Sequence, residues 1–233
     1  MGVMESWFIG ESAIIDGVCV FVLGLIAYFS VKYYKVRKNR NYLMLAFSFI
    51  LLIGSLVLKI FIGFGAAYNW MKLKALGFGS INAAQDKYLS LSIFIIFFLY
   101  HFLMLGGYYF FYTVYDKQTK SGSALSIYLL AVLAYFSHEK PSVIHFSAFI
   151  ILMLAVLQSI SRYIDKKYPA TKLLILSVAI ITASQLVFSF ADTNEKVYVT
   201  GEIVQLVGYV TLLVTFIAVL IYGRKKDKNG YYW

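Results

Sequence analysis

The sequence predicts an all-α membrane protein, a seven-transmembrane-helix bundle with its N-terminus outside and its C-terminus in the cytoplasm. Three observations carry this. Seven apolar stretches fall at 13–33, 42–66, 89–113, 123–137, 142–161, 172–191 and 198–222, and a helix needs roughly 20 predominantly apolar residues to cross a bilayer. Hydrophobic residues make up 61% of the 233 positions and charged ones only 14%, against about 25% charged in a soluble domain. Basic residues also alternate between the connections, as a bundle crossing the membrane an odd number of times requires.

The charge pattern sets the direction of each span in turn. Span 1 ends in a basic turn holding Lys32, Lys35, Arg37, Lys38 and Arg40. Lys117 and Lys120 follow span 3, and Arg162, Lys166, Lys167 and Lys172 lie between spans 5 and 6. Arg224, Lys225, Lys226 and Lys228 follow span 7. These are fifteen of the 21 Lys and Arg, and seven spans put all of them on one side. Most acids fall on the other side, among them Glu5, Glu11, Asp16, Glu139, Asp192, Glu195 and Glu202. The positive-inside rule makes the basic side cytoplasmic. The net charge of +10 therefore reads as orientation and attraction to anionic lipids at the cytoplasmic face, with no nucleic acid as partner. Tyrosines gather at the inner ends and Trp7, Trp70, Tyr88 and Tyr198 at the outer ends, where amphipathic rings suit the headgroup region.

Individual spans differ in what they carry. Span 4 is the shortest and opens with Ser123 and Ser126. The two prolines, Pro141 and Pro169, are expected in loops, which leaves every span without a proline break. Gly106 and Gly107 are the candidate break in span 3. Gly17 with Gly24 and Gly201 with Gly208 are spaced seven apart, a spacing that lets helix backbones approach. Residues 21–55 resemble residues 150–184: each is a span, a Tyr-and-basic turn, and a second span ending in a small residue and serine. The chain thus reads as a single domain over 1–233 that admits a 3+1+3 parallel repeat, 13–115 and 142–224 joined by helix 123–137. Parallel repeats of this kind occur among transporters.

Chemistry is confined to a few polar residues at membrane depth, where an ionisable group marks a functional site by default. His101 sits midway along span 3. Glu202 lies about one turn inside span 7, with Gln205 three residues on along the same face. Lys59 stands in the outer third of span 2, and a Lys59–Glu202 ion pair is the expected contact. Gln185, with Thr182 and Ser189, gives span 6 a polar stripe. Together these residues predict an outward-facing polar cavity with His101 as its floor. His138 and His145 flank Pro141 in the outer 4–5 loop region, where span 5 begins, with spacing that matches no recognised zinc pattern.

No metal and no cofactor is expected, and haem lacks a second axial histidine at the depth of His101. The single cysteine, Cys19, excludes an internal disulfide. Gly-rich phosphate loops, His-Glu-x-x-His and Gly-x-Ser-x-Gly are absent from the sequence, so a non-enzyme is expected. The last span carries no lysine midway, which argues against a retinal pigment. Residues 33–54 and 201–226 resemble uncharacterised archaeal seven-helix membrane proteins, a group in which similar bundles serve as the input parts of membrane sensors. That resemblance implies the fold and a sensor-like setting.

The sequence therefore points to a small-solute or ion-binding bundle, receptor- or sensor-like, using His101, Lys59, Glu202, Gln205 and Gln185. A small-solute or proton-coupled carrier of 3+1+3 type is the alternative, and an accessory subunit with membrane-protein partners is a third.

Overall fold

The computed structural model describes residues 6–75, 83–114, 126, 129–135, 141–166, 169–191 and 195–228. It is all-helical in these residues. The helices are α1 (Ser6–Arg37), α2 (Arg40–Ala75), α3 (Ala83–Thr113), α4 (129–135), α5 (Pro141–Lys166), α6 (Pro169–Phe188) and α7 (Glu195–Lys228). Six of them contain a stretch long and apolar enough to cross a membrane: Ser12–Lys35, Arg40–Phe64, Phe94–Thr113, Ser142–Ile164, Thr171–Phe188 and Lys196–Ala218. The protein is a polytopic helical membrane protein on this ground. The fourth apolar run, expected at 123–137, shows only a short helix among its described residues.

Both prolines are corrected by the structure. Pro141 and Pro169 are the first residues of α5 and α6 rather than loop residues. A helix's first position needs no backbone N–H donor and suits proline's fixed φ. The turn between α1 and α2 is equally local in origin. Lys38 adopts φ 54° and its N–H donates to the Tyr34 carbonyl at 2.8 Å, a left-handed cap that ends α1. The Asn39 side-chain oxygen then accepts from the Asn41 N–H at 3.0 Å and starts α2.

The six long helices close into a ring in the order α1, α2, α3, α5, α6, α7 and back to α1. Each turns one stripe inward and one outward. On α7 the buried stripe is Glu202, Gln205, Tyr209, Leu212 and Thr215, while Ile203, Val207, Val210, Val214 and Ile217 are exposed. Both stripes repeat at helical spacing. The outward stripe is apolar, and so are those of α1 and α5, where Ile14, Phe21, Phe146 and Leu157 lie exposed. A girdle of this kind suits a hydrocarbon solvent and no aqueous one.

Two glycines set the closest helix approaches. A Cβ on Gly107 would lie 2.7 Å from the Leu52 side chain and 3.2 Å from the Ser48 carbonyl. One on Gly208 would lie 2.6 Å from Ile181 Cγ1 and 3.1 Å from its backbone nitrogen. So α3 rests on α2 and α7 on α6 through positions that tolerate no side chain. Gly106 and Gly107 leave α3 unbroken. A Cβ on Gly17 or Gly24 would meet no atom of the described residues within 4 Å, so neither is a close-approach position among them.

Candidate functional site

Lys59 on α2 is held by two carboxylates. Its Nζ lies 2.9 Å from Asp16 Oδ1 on α1 and 2.8 Å from Glu202 Oε1 on α7. Ser12 Oγ donates to the same Glu202 oxygen, and the ammonium sits 5.5 Å from the centre of the Tyr198 ring, within cation–π range. The Lys59 side chain is 16% exposed, Asp16 4% and Glu202 1%. The Lys59–Glu202 pair expected from the sequence is thus formed. Asp16 was missed, having been counted only among the outer acids. Its signal was its place one turn inside span 1, on the face shared with buried Cys19 and Leu23.

The three charged residues sit at one end of the bundle. Asp16 and Glu202 lie shortly after the starts of their spans, and Lys59 shortly before the end of its own. At 1.5 Å per residue each is about 6–9 Å inside. Two carboxylates against one ammonium leave the cluster with an unbalanced acidic group. The second oxygen, Glu202 Oε2, is buried and has no hydrogen-bond partner among the described residues. Desolvating such a set costs several kcal/mol per ion, repaid only by close geometry and further hydrogen bonds. An orphan carboxylate oxygen is therefore a place where a ligand or water would be stabilised.

Beside the cluster lies a cavity of about 30 Å³, whose walls include Ser55, Lys59, Tyr100, Tyr108, His145, Gln185, Phe188, Tyr198, Gln205 and Tyr209. This is room for roughly two water molecules. A continuous hydrogen-bonded line crosses it. His145 Nδ1 lies 3.0 Å from Gln185 Oε1, and Gln185 Nε2 donates to the Tyr108 hydroxyl at 3.2 Å. The Tyr108 and Tyr209 hydroxyls meet at 3.2 Å, and Gln205 Nε2 donates to Tyr209 at 3.1 Å. A second cavity of about 10 Å³ is lined by the same two tyrosines and apolar side chains. Gln185 and Gln205 are thus brought together with Lys59 in one cavity wall.

Other expectations are redistributed. His101 is buried against Tyr100, ring centroids 4.6 Å apart, and against Phe97 at 6.1 Å. It contributes no wall to the cavity, whose walls at that level are Tyr100, Met104 and Tyr108 from the same helix. His145, placed in a loop by its proximity to Pro141, is a helical residue of α5 stacked on Phe188 at 5.0 Å. His138 and Glu139 lie outside the described residues. Thr182 and Ser189 do not extend the site: their hydroxyls bond the Val178 and Gln185 carbonyls of their own helix region, a common way to satisfy a hydroxyl in a span. Among the described residues, no group of three or more His, Cys, Asp or Glu converges to hold a metal ion.

Compared with known proteins, the chain matches no family, no curated protein and no solved structure.

Proposed function

We propose that this polytopic membrane protein binds a small polar solute or ion, receptor- or sensor-like, in the cavity bounded by Lys59, Gln185, Gln205, Tyr108 and Tyr209. The observation that carries the reading is the buried Asp16–Lys59–Glu202 cluster, one ammonium between two carboxylates, with Glu202 Oε2 unpartnered among the described residues. A bundle that needed only to pack would gain by replacing such a set with apolar side chains. Intramembrane charge is retained where it is used. The positive-inside distribution supports an outward-facing site, with Lys38 and the rest of its turn against anionic cytoplasmic lipid. His101 belongs to this reading as a buried neighbour of the Tyr100 wall.

The test is a thermal-shift series on the purified protein with monovalent and divalent ions and polar solutes small enough for the cavity, such as ammonium, formate and urea. A stabilising compound should lose its effect in Gln205→Leu. No stabilisation across the whole series would count against binding.

A carrier is the second reading, favoured by one observation: the order of helices around the ring is unchanged when α1–α3 are exchanged with α5–α7. Parallel repeats with a site between them are a transporter design. Solute or proton uptake by proteoliposomes, lost in Lys59→Met, would establish it.

A further inference from the structure

The first 35 residues of the sequence repeat, 21–55, lay Phe21 on Ile150 and Leu52 on Ile181. Details of packing follow that register. Ser30 donates to the carbonyl of Ile26 at 2.8 Å, and its counterpart Ser159 donates to that of Ala155 at 2.8 Å. Ser55 donates to Leu52 at 2.8 Å, and its counterpart Ser184 to Ile181 at 2.7 Å. The third helix follows a register of its own, 101 positions on, because α2 runs on farther than α6 past the repeat and α3 begins farther ahead of its glycine than α7 does. It lays Gly107-Tyr108 on Gly208-Tyr209. The two closest helix approaches are then one contact seen twice: Gly107 against Leu52, and Gly208 against Ile181. Similar apolar helices would share a composition. They would not share one register through two helices, a second through the third, and the same contacts between them.

The tyrosines complete the geometry. Two equivalent residues can touch each other only across the axis that exchanges them, and Tyr108 and Tyr209 meet through their hydroxyls. The smaller cavity confirms the placement of that axis. Except for Leu152, its walls are matched pairs: Phe49 with Val178, Leu52 with Ile181, Tyr108 with Tyr209, and Phe111 with Leu212.

We infer that α1–α3 and α5–α7 are two copies of one three-helix unit, related by a two-fold axis through the Tyr108–Tyr209 contact, and that the charged cluster has a twin. The same registers lay Asp16 on His145, Lys59 on Phe188 and Glu202 on His101. The contact between Asp16 and Lys59 has its counterpart in His145 stacked on Phe188. Lys59 and Phe188, Met104 and Gln205, and the two tyrosines are opposite walls of the larger cavity. That cavity therefore has an ionic pole on α1, α2 and α7, and an imidazole and aromatic pole on α5, α6 and α3. A small solute seated on the axis meets the ammonium at one pole and the His145–Gln185 pair at the other. The duplication itself does not depend on the binding reading above.

The experiment exchanges the poles. One variant carries Asp16→His, Lys59→Phe and Glu202→His. A second adds His145→Asp, Phe188→Lys and His101→Glu, rebuilding the ion cluster at the twin corner. Equivalent halves require the six-fold variant to melt no lower than the three-fold one, because the new charges find the old geometry. A six-fold variant that melts lower, or aggregates where the three-fold one does not, overturns the inference. If both aggregate, an experimental structure of the unaltered protein decides. Superposing α1–α3 on α5–α7 must give a half-turn that pairs Leu52 with Ile181 and Tyr108 with Tyr209; any other pairing overturns it.

Discussion

Lys59 and Glu202 lie 143 positions apart in the chain, yet their charged groups meet at 2.8 Å. The meeting depends on α7 packing beside α1 to close the ring, with Asp16 supplied from α1 as the ammonium's second partner.

Removing the ammonium should cost more than removing the whole cluster. Lys59→Met leaves Asp16 and Glu202 facing each other uncompensated, a loss of about 3–5 kcal/mol. Asp16→Asn, Lys59→Met and Glu202→Gln combined should recover most of it. Thermal or denaturant unfolding of the purified protein reads both. A triple variant less stable than Lys59→Met would refute the charge-pairing account.

Tyr108→Phe and Tyr209→Phe should be coupled. Each removes a hydroxyl that also accepts from a glutamine amide. Hydrogen bonds between membrane helices average about 0.6 kcal/mol and reach about 1.7. A double-mutant cycle should give a coupling in that range, and a value near zero would place the two hydroxyls apart in solution.

Alanine at the glycines should separate packing from sequence spacing. Gly107→Ala and Gly208→Ala each drive a methyl into a neighbouring helix and should cost about 1–3 kcal/mol. Gly24→Ala meets nothing within 4 Å and should be neutral or stabilising by up to about 1 kcal/mol through helix propensity. Melting temperatures of the three variants check the order.

Lys38→Gly should stabilise the first hairpin. The φ of 54° is one that glycine adopts freely and a side chain resists, worth about 0.5–1 kcal/mol. A melting temperature that falls instead would show that the lysine's charge outweighs its backbone strain.

What was legible followed from local chemistry. Apolar runs named six spans within a few residues because length and hydropathy are properties of a segment alone. The short described helix at 129–135 shows where that signal weakens. Lys59 and Glu202 were found because a charge in an apolar run stands out. Asp16 did not stand out, because it lies near a span's start and reads equally well as an outer flank. His145 is hard to place for a related reason: Pro141 reads as a loop marker, yet it is the first residue of a helix. His101, the most conspicuous residue of its span, lies outside the cavity wall, because which side of an all-apolar helix faces inward cannot be told from a stretch with almost no polar face.

The closing of the ring by α1 and α7 bears on how the protein is made. The first hairpin enters the bilayer carrying Asp16 and Lys59 as a neutral couple, so its charges are matched from the moment both helices are in place. Glu202 joins that couple from α7, 143 positions after Lys59. The pairing of Glu202 with Lys59 thus acts as an electrostatic latch between α7 and the first hairpin. A chain whose first hairpin lacks Lys59 should leave α7 laterally unanchored and open to membrane quality control.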